Sequence, residues 1–164
     1  MPRSLRLVPL AIAVVITQVS IFPELRLLGV VPDLGLVVAL AVAWHDGPEA
    51  GAWFGFAVGL AFDLFLSTPL GVSAISYALV AYTLGTIRPM FDGRIGWMTI
   101  AFGFVGGLAG GTMFALFAII TGADTLQRLH TVAVVVNSAL YDALLAPLMF
   151  GLLTLITPSP TRYR

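Results

Sequence analysis

The chain of 164 residues has no cysteine and no lysine, and only 10% of its residues are charged. The lack of cysteine excludes disulfides, thiolate nucleophiles and cysteine-ligated metals. The lack of lysine excludes Schiff-base chemistry and the phosphate-binding lysine of a Walker loop. All eight basic residues are arginine, balanced by eight acids to a formal net charge of zero, so no basic face for nucleic acid is available. Histidine is limited to His45 and His130.

What remains is apolar. Hydrophobic residues make up 59% of the chain, and its mean hydropathy is +1.02. A typical soluble domain has about 25% charged residues and roughly 45–50% apolar ones. A core of this size cannot hide the excess, so lipid must be its solvent. The basic start and apolar run of the N-terminus read as a retained signal anchor, because no small-x-small cleavage site follows.

A helical span needs about 20 mostly apolar residues. On that measure the chain reads as one transmembrane domain, residues 1–164, and a compact all-α bundle of about six spans. They run over about Leu5–Phe22, Leu27–Trp44, Ala50–Leu66, Val72–Ile87, Trp97–Ile120 and Val132–Ile156. The second is interrupted by Gly29, Pro32 and Asp33, and a proline inside a helix bends or breaks it. That span is therefore kinked or re-entrant. The breakers at His45–Glu49, Ser67–Gly71 and Arg88–Arg94 mark the loops.

Arginine in short loops sets orientation. With both termini inside, the inner face holds Arg3, Arg6, Arg88, Arg94, Arg162 and Arg164, and the outer face only Arg26 and Arg128. The expected orientation is cytoplasmic at both ends. Trp44 and Trp97 then fall at interface depth, where amphipathic rings prefer to sit.

Within the third span Gly51, Gly55, Gly59 and Asp63 follow at four-residue spacing. Four residues advance about 400° and rise about 6 Å, so they form a slowly winding stripe that another helix can approach closely. That helix belongs either to the chain itself or to a partner. Gly103, Gly107 and Gly111, beside Gly106 and Gly110, repeat the theme in the fifth span.

Carboxylates inside a membrane cost about 2.5–3.5 kcal/mol near its centre. Asp63 lies close to a loop, where it can brace the turn into Pro69-Leu70-Gly71. Asp33 beside Pro32 suits the N-terminus of a helix. Asp142 is deeper, about ten residues into the sixth span or roughly 15 Å, with Ser138 and Asn137 upstream. Two readings stand for it: a group that binds a ligand, proton or partner, or a structural acid hydrogen-bonded between helices.

No enzyme is expected. The two histidines are predicted on opposite faces, each as a solvated loop residue, and no Ser-His-Asp set, HExxH helix or paired-carboxylate site is visible. No cofactor or metal site is expected either.

The ordered set Pro32-Asp33-Leu34, Gly47-Pro48, Gly51, Gly55-Phe56, Gly59-Leu60, Asp63, Pro69-Leu70-Gly71, Ser73, Tyr82 and Gly85 resembles MreD, the family of rod-shape-determining membrane proteins of bacteria. Trp44-His45-Asp46 departs from relatives that carry a basic residue before the Gly-Pro. The resemblance implies a non-enzymatic interaction protein of the cell-elongation machinery in the inner membrane. It implies MreC as direct partner and RodA, its transpeptidase and MreB in the wider assembly supporting lateral peptidoglycan synthesis. It also implies a fold similar to the six-helix substrate-binding components of energy-coupling-factor transporters. The alternative is a substrate-binding transporter component with an outward pocket, to which Tyr77, Tyr82 and Asp142 contribute polar groups.

Overall fold

The computed structural model describes residues 3–20, 30–65, 70–91, 95–120 and 128–156. They form six helices: α1 (Arg3–Ser20), α2 (Leu34–Asp46), α3 (Pro48–Phe65), α4 (Val72–Ile87), α5 (Ile95–Ile120) and α6 (Arg128–Ile156). A 3₁₀ turn, Arg88–Met90, follows α4. The all-α architecture read from hydropathy is present. Among the described residues, two stretches suffice by length and composition to cross a bilayer, Gly96–Phe117 and Val132–Leu155, while the apolar stretches Arg6–Ser20 and Leu34–Asp46 are shorter.

The second element differs from the expected Leu27–Trp44. Its helix begins only at Leu34, and Val31, Pro32 and Asp33 before it are not helical. Proline disfavours helical backbone in the residue that precedes it and has no N–H of its own. Asp33 then caps the helix that follows. At 13 residues, α2 is about 20 Å long, well short of a hydrocarbon core of about 30 Å.

This short helix is the axis of the molecule. Every residue from Leu34 to Trp44 is buried, and α2 packs against all five of the other helices. An apolar stretch without a polar face is expected to be surrounded in this way. Around it α3 pairs with α4 and α5 with α6. The outside stays apolar: Val8, Ile12 and Ile16 on α1 and Leu144, Leu148 and Leu155 on α6 are exposed. Such continuous apolar surface suits lipid and not water.

The glycines of α3 face inward. A Cβ on Gly51 would meet the main chain of Ala43 in α2, at 2.6 Å from its Cα. One on Gly55 would lie 3.0 Å from the Tyr77 carbonyl carbon, and one on Gly59 would lie 2.6 Å from the Ala74 nitrogen. The stripe is thus filled by the chain's own helices, and a partner helix has no room on it. Trp44 also departs from its expected interface role. It is buried, with its ring edge-on to Phe102 at 4.9 Å and tilted against Phe150 at 6.0 Å. The Arg88 guanidinium sits 5.3 Å from its centroid. Trp97, by contrast, is exposed.

Candidate functional site: the start of α2 and the cavity beside it

A helix leaves its first four N–H groups without intrahelical partners. Where the helix starts inside a bundle in lipid, other parts of the protein must supply those partners. For α2 they come from three places. The Gln18 side chain of α1 spans the break: its Nε2 donates to the Pro32 carbonyl at 3.0 Å and its Oε1 accepts from the Leu34 N–H at 3.0 Å. The Asp33 Oδ1 accepts from the Leu36 N–H at 3.1 Å. From α6, Asp142 Oδ1 accepts from the Asp33 N–H at 2.8 Å. The Tyr77 hydroxyl of α4 donates to Asp33 Oδ2, so four elements meet at one point.

Asp63 solves the equivalent problem for α4. Its carboxylate accepts from the N–H groups of Gly71 at 2.8 Å, Ser73 at 3.2 Å and Ala74 at 3.4 Å. The geometry depends on Gly71, which turns into α4 with φ +97°, a conformation that glycine adopts without steric cost. The acid expected to brace this turn does so.

Beside the start of α2 lies a cavity of about 470 Å³, within the usual range for a ligand pocket. Its walls are mainly apolar, with Val19, Leu36, Phe62, Phe65, Phe114 and Val134 among them. Its polar groups are Gln18, Asp33, Ser73, Tyr77, Ser138 and Asp142, and no Arg or His is present among the described residues that line it. Asp142 is only 1% exposed. Its Oδ1 holds the Asp33 N–H, while its Oδ2 accepts no hydrogen bond among the described residues.

The sequence-derived candidates therefore separate. Asp33, Ser138 and Asp142 gather at the cavity, together with Pro32 and Tyr77. Gly51, Gly55 and Gly59 are packing positions, and Asp63 is a cap. Gly47, with φ +104°, ends α2, and Pro48 opens α3 directly after it. Asn137 is half-buried and Tyr82 is exposed; neither lines the cavity. Pro69 lies outside the described residues, as do the residues 21–29 that include Arg26.

His45 is not the solvated loop residue expected. It belongs to the last turn of α2, its Nε2 is buried without a partner among the described residues, and its ring lies 6.4 Å from that of Phe150. The side chain of His130 lies outside the described residues. Among the described residues no group of three or more His, Asp or Glu side chains is placed to hold a metal ion. Sequence reasoning overlooked Gln18. The available signal was an amide inside an apolar run, where each polar group needs a partner.

A family model described as rod shape-determining protein MreD matches residues 3–156. No curated protein and no solved structure matches the chain.

Proposed function

The chain belongs to the MreD family of rod-shape-determining membrane proteins, and on that premise we propose that it is a non-enzymatic scaffold of the cell-elongation machinery that binds MreC. Through MreC it supports lateral peptidoglycan synthesis alongside RodA, its transpeptidase and MreB. The observation that carries this reading is a family match covering nearly the whole chain. A supporting one is how the buried polar side chains are used. Gln18, Asp33 and Asp63 close off main-chain groups at helix starts, which builds a fixed shape and requires no reaction.

The proposed setting is the inner membrane, crossed six times, with α2 and the segment before it as the second crossing. The arginine distribution supports cytoplasmic termini. A likeness to the substrate-binding components of energy-coupling-factor transporters belongs to the same proposal. Since the glycine face of α3 is occupied internally, MreC would bind to one of the exposed apolar faces. The test is co-expression with affinity-tagged MreC, followed by detergent extraction and purification. Stoichiometric recovery of the chain is expected. Recovery no better than that of an unrelated membrane protein of similar size, from equal amounts of folded chain, defeats the reading.

A second reading, a membrane component that binds a small molecule, is favoured by the cavity beside α2. Fold alone does not choose between the two, and they are compatible in one molecule.

A further inference from the structure

We infer that the cavity at the start of α2 binds an amphipathic molecule with an apolar body and a single cationic, hydrogen-bond-donating head: a protonated primary amine. This rests on the ligand-binding reading of that cavity and is independent of the binding of MreC.

The walls set the body. Leu36, Phe62, Phe65, Phe114 and Val134 favour an apolar occupant, and the aromatic faces also attract a cation. The polar groups set the head. Asp142 is almost wholly buried, one oxygen is committed to the Asp33 N–H, and the other has no partner among the described residues. Asp142 lines the cavity, and a carboxylate there without a full set of donors is unfavourable. A cationic donor removes the deficit with a charge-assisted hydrogen bond, about twice as strong as a neutral one.

The opposite charge is disfavoured. The positive end of the α2 dipole would otherwise attract an anion, but the Asp33 and Asp142 carboxylates already meet it. No arginine or histidine lines the cavity among the described residues, so a carboxylate or phosphate head would face two acids without compensation. The same argument disfavours a phospholipid headgroup, whose ammonium arrives with a phosphate. Asp33 has little to offer a ligand itself, since its two oxygens serve Leu36 and Tyr77.

The test uses the full chain in phosphatidylglycerol nanodiscs, with unfolding followed by tryptophan fluorescence as octylamine, octanol or octanoate is titrated. Octylamine is expected to raise Tm saturably, and the other two are not. Asp142→Asn, which retains an acceptor for the Asp33 N–H, should weaken the octylamine response about tenfold or more. Ser138→Leu, which fills the cavity one turn from Asp142, should abolish it and keeps the test decisive if Asp142→Asn does not fold. An equal response to octanol, or an unchanged response in Asp142→Asn, overturns the cationic assignment. Saturable binding of octanoate overturns the amine but keeps the cavity as a ligand site. No saturable response to any probe overturns both. A repeat in nanodiscs containing phosphatidylethanolamine separates the sources: competition with octylamine there would make the lipid headgroup the occupant and overturn the exclusion of phosphate.

Discussion

The α3–α4 hairpin and the α5–α6 hairpin both carry glycine at four-residue spacing, and each buries one aspartate, yet one closes and the other leaves space. Along α3, Gly55 and Gly59 meet the main chain of α4. Asp63 is engaged by three N–H groups at the start of α4. Along α5, Gly103 and Gly107 meet the main chain of α6, but Gly106 and Gly110 face the side-chain tips of Leu40 and Leu36. The cavity is lined by Gly107, Gly110 and Gly111, and Gly111 faces the side chain of Val135. A glycine stripe seals a helix pair only where backbone faces it. Where side-chain tips face it, a tip fills the place of the missing Cβ and is free to move out of it.

The sharpest way to break this comparison is to restore a single methyl group on each side. Gly59→Ala is expected to have the largest effect. Its Cβ would sit 2.6 Å from the Ala74 nitrogen, and only a shift of the whole α4 backbone relieves that contact, at about 3 kcal/mol or more. Gly110→Ala would place its Cβ 2.5 Å from Leu36 Cδ2, and that side chain can turn toward the cavity, so a cost of about 1 kcal/mol is expected. Thermal unfolding in detergent, with monodispersity after extraction, measures both. Equal losses would mean that the two stripes are packed alike.

Next in size is Asp63→Ala, which leaves the Gly71, Ser73 and Ala74 N–H groups without their acceptor. A lost cap and buried donors left unsatisfied together cost about 2–3 kcal/mol. Hydrogen exchange should rise first at the start of α4. A rise spread evenly over the molecule would show that Asp63 does not act as a local cap. Tyr77→Phe comes below it. The variant keeps the ring, which packs edge-on to Phe62 at 6.2 Å, and removes one hydrogen bond to Asp33. The expected loss of Tm corresponds to about 1–2 kcal/mol.

These magnitudes also show which features were legible in the sequence. Hydropathy runs and breakers locate α3, α4, α5 and α6, because each is a long apolar run between Gly, Pro or charged residues. The cap role of Asp63 was readable from its distance to a Pro-Leu-Gly turn. The start of α2 was not, although Pro32 marked trouble there. Hydropathy continues smoothly across the break, and only the tertiary structure brings Gln18 and Asp142 to the exposed N–H groups. The direction of the α3 glycines was equally hidden, since spacing shows that a stripe exists and not which helix fills it. Trp44 was misplaced for a related reason. Its position near a loop suggested an interface, but α2 is central and carries its terminal aromatic into the core.

The smallest expected effect is the most discriminating. In Asp142→Asn the side chain keeps one oxygen for the Asp33 N–H and replaces the unpartnered oxygen with an NH₂ group. Nothing that holds α2 is lost, so stability should change by about 1 kcal/mol or less. Asp63→Asn differs, because Oδ2 is the oxygen shared by Gly71, Ser73 and Ala74 and Oδ1 also accepts from Ser73. With an acceptor on one atom only, at least one of those donors is left facing an NH₂. A clearly larger loss is expected there, about 1–3 kcal/mol. If both variants are equally stable, the two acids are held alike and the open oxygen of Asp142 is filled within the fold. If Asp142→Asn is stable and abundant yet cells carrying it lose their rod shape, the acid is not merely structural, because its bond to α2 has been preserved and only the group facing the cavity has changed.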